Sequence, residues 1–204
     1  MIQSMRKFLA VAVLAVPFAA NATIFQFTAS LNAANEVQGS ANQGFGSASL
    51  KYYDQGTGSL ADDKYDFVMS AIGLGAVATA FHIHGAATVA ENAPVRVGLD
   101  VAPFVTLMNA GGTLVVTGNN VVAPVLIAAT PVTGVNAGHP AMSFLQMLQS
   151  GLAYVNVHTA AQPAGAIRGQ LVQVAAIVPE PEAYGMMLVG LALMGVVVGR
   201  RKRA

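Results

Sequence analysis

The chain contains no cysteine, and only 9% of its 204 residues are charged. Without cysteine no disulfide can brace it, so the fold has to rest on burial and sheet hydrogen bonding alone. Its formal charge of +1 at pH 7 is set by the two ends. Arg6, Lys7 and the cluster Arg200, Arg201, Lys202 and Arg203 are all terminal, and the stretch 23–177 holds four cations against seven anions, a net −3. No basic patch is left to meet phosphates, which argues against nucleic acid as a partner. Long helical periodicity is also scarce. No Ser-His-Asp order or paired catalytic carboxylates stand out, and Gly111-Gly112 and Gly118-Asn119-Asn120 read as turns between strands, not phosphate loops.

What is present begins with the ends. Arg6 and Lys7 precede an apolar stretch from Phe8 to about Ala20, and Ala20-Asn21-Ala22 offers small residues where signal peptidase reads. This is a secretory signal over 1–22, too short to span a membrane. At the other end, Pro179-Glu180-Pro181 is followed by an uncharged run from Ala183 to Gly199 and then by the four cations. As a helix those 17 residues would span about 25 Å, the low end for a transmembrane helix, and the cations would hold the terminus in the cytoplasm. The three parts in this order resemble the PEP-CTERM sorting signal. That resemblance implies an inner-membrane-anchored precursor, recognition by an exosortase, and a mature protein at the cell surface or outside. As a family, such systems are associated with exopolysaccharide and biofilm.

About 155 residues remain, enough for one domain with a sizeable core. Short runs rich in Val, Ile, Phe, Tyr and Thr alternate with Gly, Asn, Asp and Pro. The expected fold is all-β, a Greek-key sandwich or barrel of about eight to nine strands. The strand readings include Thr113 to Thr117, a separate Val121 to Ala128, and one strand from Ile167 to Val174. Ser143 to Gln149 reads as the one short helix, stopped by Gly151. Asp62, Asp63 and Asp66 lack the spacing of a calcium loop and read as a solvated turn.

The residues with chemistry sit on three strands. If Phe81 and Ile83 point inward, His82 and His84 share the opposite face, and the same alternation places Asn156, His158, Arg168 and Gln170 outward. His-x-His on one strand joined by a third histidine can present three imidazoles to copper or zinc, with Arg168 and Asn156 beside them for an anion or other ligand. The competing reading is structural: the imidazoles bond to neighbouring strands and loops, and Arg168 pairs with Asp100 or Glu91. His139 has no evident place in either.

Phe25 to Val37, Gly73-Leu74, Ala80 to Gly85, Gly151 to Thr159 and Pro163 to Leu171 resemble the CHRD domain. The resemblance implies a β-rich extracellular module with no fixed reaction. The family pattern Gly-Glu-Ile-Arg-Gly reads here with Ala166 in place of Glu, so any role of that carboxylate is expected to be lost. The His-x-His strand is also similar to that of copper/zinc superoxide dismutases, but their further histidines and disulfide are missing. Two functions follow: a non-enzymatic surface or matrix protein acting by binding or adhesion, with polysaccharide or the cell surface as partner, and a metal-binding protein or redox enzyme centred on His82, His84 and His158.

Overall fold

The computed structural model describes residues 22–174 and 190–191. Ala20 of the signal, Pro179, Glu180 and Pro181 of the sorting motif, and Arg200, Arg201, Lys202 and Arg203 lie outside the described residues, as does all but two positions of the expected membrane segment. Among the described residues no helix is long and apolar enough to cross a membrane.

Strict alternation builds the sheet. In β1 (Thr23–Asn32) Phe27, Ala29 and Leu31 are buried while Thr28 and Ser30 face out. β2 (Phe45–Asp54) buries Ala48, Leu50 and Tyr52, and β3 (Lys64–Ile72) buries Tyr65, Phe67, Met69 and Ala71. The remaining strands are β4 (Ala78–His84), β5 (Val95–Gly98), β6 (Val105–Ala110), β7 (Thr113–Val122), β8 (Tyr154–Thr159), β9 (Ile167–Gln170) and β10 (Val172–Val174). All pairings are antiparallel, in the order β5-β4-β8-β9-β1-β2-β3-β7-β6, with β10 also on β1. The return of β9 to lie beside β1, after the β1-β2-β3 meander, is a Greek-key step.

The described strands form one curled antiparallel sheet that ends in the edge strands β5 and β6. The curl is strapped by Asn109 of β6, whose amide accepts from Ala78 N–H and donates to Ala78 C=O, both at 2.8 Å. The core lies inside the curl. Helix α1 (Phe144–Gln149) helps to close it: Ser143 and Gln146 form a capping box, Gly151 at φ 65 permits the left-handed stop, and Phe144, Met147 and Leu148 are buried. The Phe144 ring packs against Tyr65 and Tyr52 at centroid distances of 5.4 and 6.4 Å.

Three local expectations need correction. Gly118 to Asn120 does not separate two strands; it is a bulge inside β7, where Tyr65 faces Val121 and Phe67 faces Gly118. Asp66 stabilises it by accepting from Asn120 N–H at 2.7 Å, with Asn120 at φ 55. The segment from Ile167 to Val174 is broken at Leu171, whose N–H turns to Ala153 C=O, so its end pairs with β1. Asp63 is no solvated turn residue: it is 1% exposed and accepts from the Tyr52 hydroxyl at 2.7 Å. β6 is a mostly exposed edge strand with no buried alternation, so no sequence pattern marks it. The two-residue turn Gly111-Gly112, with φ 58 and 76, joins it to β7.

Phe144→Ala is expected to cost about 3–5 kcal/mol, because the helix plug would leave a cavity against two tyrosines. Chemical denaturation of the variant against the parent measures it.

Candidate functional site

The outward face of β4, β8 and β9 carries a second, polar core. Cross-strand register sets out its rows: His82 faces Asn156, which faces Arg168, and His84 faces Tyr154, which faces Gln170. His158 stands opposite Ala80. The sequence placed these side chains outward, and they are, but they are not exposed. Arg168 is 1% accessible, Asn156 4% and His84 9%. The correction has a physical cause: the segment 85–94 folds over the face, and its backbone carbonyls need donors.

Arg168 supplies two of them. Its guanidinium donates to Glu91 C=O at 2.8 Å, Thr88 C=O at 3.0 Å and the Asn92 side-chain oxygen at 3.1 Å. It also lies 3.5 Å from the centre of the Tyr154 ring, whose other neighbour is the His84 ring, stacked at 4.9 Å. Gln170 donates to Ala87 C=O and Gly151 C=O. The expected partner carboxylates are elsewhere. Glu91 offers Arg168 its backbone oxygen, while its carboxylate accepts from Thr88 and Ala137 N–H groups and from His139 at 3.0 Å. Those bonds, the backbone ones foremost, hold the Glu91 carboxyl down at about 2. His139 thus acquires a place: it ties the covering segment to the strand-like turn around Thr130 and Asn136.

His82, His84 and His158 converge. Each offers a ring nitrogen, and the three ligand atoms lie within 4.8 Å of one another. His84 Nδ1 donates to Ala93 C=O at 2.8 Å and His158 Nδ1 to Pro163 C=O at 3.0 Å. Both tautomers are therefore fixed with a lone pair on Nε2, and each Nε2 is buried without a partner, as is Nδ1 of His82. Carbonyls that orient imidazoles in this way are the usual support of metal ligands. Three nitrogens about 2.1 Å from a zinc ion sit about 3.4 Å apart, so small ring movements would close the set. Burial is also the main cause that lowers all three imidazoles, His84 to about 4, which keeps them neutral at pH 7.

Sequence reasoning missed Glu36. Following the single 3-10 turn η1 (Ala33–Asn35), it brings a carboxylate to the same face. Its side chain fills the space beside Gly165, where a β-carbon would come within 2.5 Å of a carboxylate oxygen. Burial raises its carboxyl to about 7, against the pull of the Arg168 charge and the Asn156 amide. The carboxylate expected to be lost with Ala166 is thus not the last on this face. No spacing marked Glu36, because it reaches the site from the far side of β9.

The family model described as the CHRD domain matches residues 27–171, and that of the PEP-CTERM protein-sorting motif matches 178–203. No curated protein and no solved structure matches the chain.

The two kinds of buried group oppose each other with pH. Stability from the neutral His84 is present above 6.5 and is lost as pH falls toward and through about 4. Stability linked to Glu36 is complete below 4.5 and is lost as pH rises through about 7. Glu36→Gln is therefore expected to steepen the loss of stability of the metal-free protein between pH 6.5 and 4, read as denaturant midpoints across that range.

Proposed function

The chain belongs to the CHRD domain family and ends in a PEP-CTERM protein-sorting motif, and on that premise we propose that it is an exported domain that binds a divalent transition ion, copper or zinc, through His82, His84 and His158. The sorting motif implies export and surface delivery dependent on an exosortase. One observation supports the metal reading above the structural one: three clustered histidines, each with a ring nitrogen within 4.8 Å of the others', each keep one buried nitrogen without a partner, although the opposite nitrogens of His84 and His158 are satisfied. A structural histidine uses both sides of its ring or turns one to water. Here the three rings are gathered in one place, with centroids 5.3–6.1 Å apart. With three ligands the set resembles a site that keeps a coordination position open.

Calorimetric titration of the purified protein with Cu²⁺ and with Zn²⁺ is the test. One ion per chain is expected, with binding lost in the His82→Ala, His84→Ala double variant. Affinity equal in the two proteins would sink the proposal.

A second reading keeps adhesion to polysaccharide or the cell surface, and the outer face of β1, β2 and β3 supports it. There Ser30, Ser47 and Ser70 lie in one cross-strand row and Thr28 and Ser49 in the next, all exposed. Such an array offers hydroxyl groups to a flat polyol. Arginine at Ser47 and Ser70 is expected to abolish retention on immobilised exopolysaccharide while leaving metal binding intact; unchanged retention, or none by the parent, counts against adhesion through this face.

A further inference from the structure

The met and unmet nitrogens are arranged differently in the three histidines. In His84 and His158 a carbonyl takes the Nδ1 proton, and the buried nitrogen without a partner is Nε2. His82 is reversed. Its buried unpartnered nitrogen is Nδ1, and no carbonyl among the described residues orients its ring. An ion bound through Nε2 of His82 would leave that Nδ1 buried and unanswered. Bound through Nδ1, the ion answers it, and the ring proton goes to Nε2, which then needs an acceptor.

The register of β4 on β5 shows what stands on that side. His82 is paired with Gly98, so both positions face the same side of the sheet. Gly98 has no side chain, and a β-carbon built there would meet Asp100 Oδ1 and a Val101 methyl, each at 3.2 Å. Cross-strand β-carbons lie about 4.5–5.5 Å apart. The Asp100 carboxylate therefore occupies the place beside His82 that a side chain at 98 would fill. It is exposed, and no cation among the described residues pairs with it. The charges around the cluster agree: Arg168 bears on His84, and the anion that bears on His82 is Asp100. A dication held by three neutral imidazoles already has the Arg168 cation on one side, so a carboxylate on the other offsets the repulsion.

We infer that Asp100 accepts the Nε2 proton of His82 when the ion is bound, and that His82 ligates through Nδ1 while His84 and His158 ligate through Nε2. This rests on the metal reading above and deepens it. Each imidazole then has one oxygen behind it: Ala93 C=O for His84, Pro163 C=O for His158, and the Asp100 carboxylate for His82. Asp100 is a positioning residue, since it touches the ring and not the ion. It closes on Nε2 by rotation of its own exposed side chain, with β4 and β5 unmoved.

The test uses the full-length chain in detergent, labelled with ¹⁵N at histidine and loaded with Zn²⁺. Long-range ¹H–¹⁵N correlation spectra report which ring nitrogen carries the proton and which the metal. His82 is expected with its proton on Nε2, and His84 and His158 with theirs on Nδ1. A His82 that ligates through Nε2 would overturn the inference. Asp100→Ala is expected to keep one ion per chain but to bind Zn²⁺ about tenfold more weakly in calorimetry. Asp100→Asn, which keeps an acceptor and loses the charge, is expected to fall between. Asp62→Ala removes the same charge from the β2–β3 connection and is expected to bind as the parent does. Asp100→Ala affinity equal to the parent's, or a loss matched by Asp62→Ala, would overturn the role of Asp100. A parent that binds no Zn²⁺ removes the histidine reading itself, and its spectra then show three unligated rings, which separates the two failures.

Discussion

The buried guanidinium of Arg168 is the constraint on which the polar half of the molecule depends. An arginine with 1% of its surface accessible is stable only if its donors are met, and here they are met by the carbonyls of the covering segment. The dependence is mutual: the Glu91 carbonyl has no other hydrogen-bond donor among the described residues. With one residue serving both needs, the segment 85–94 is fixed over β4, β8 and β9, and the Tyr154 ring is fixed between Arg168 and His84. His84 owes its orientation to the same cover, since Ala93 C=O accepts its Nδ1 proton. The histidines are thus positioned by a chain of contacts that begins on β9 and ends on β4.

The apolar core was largely legible in the sequence. Alternation through Phe27-Ala29-Leu31 and Tyr65-Phe67-Met69-Ala71 gave both the strands and the buried face, because period 2 has only one way to face a core. The same rule gathers His82, His84, Asn156, His158 and Arg168 on one side from the sequence alone. What alternation does not report is whether an outward face meets water or another layer. That depends on where a loop lies, and loops are held by backbone groups that every residue shares. Charge alone matches Arg168 with carboxylates, whereas its partners are backbone carbonyl and side-chain amide oxygens.

Glu36 and β6 escaped for different reasons. Glu36 lies outside any periodic segment and joins the site only through the β1–β9 adjacency, a contact between residues far apart in the chain. β6 buries nothing regular, so no pattern marks it; its identity comes from the Gly111-Gly112 turn and from pairing with β7. The bulge at Asn120 reads as a turn in the sequence for a related reason. Gly-Asn-Asn suits either, and the decision was made by Asp66 on the neighbouring strand.

The pairing of β10 with β1 sets Val174 opposite Gln26. The first strand of the domain is thus joined to its last residues, a closure over nearly the whole length of the described chain. For a polypeptide that crosses a membrane from its N-terminus, β1 arrives first and has β2 at once, but waits for β9 and β10 until translocation of the domain is almost finished. Such closure is entropically costly and slow relative to hairpin formation. In the interval one edge of β1 is open while the β1-β2-β3 meander is already complete. A chain exported N-terminus first would therefore pass through a stage in which its polar face has not yet been assembled, and β10, the last strand among the described residues, is also the stretch that completes the open side of β1.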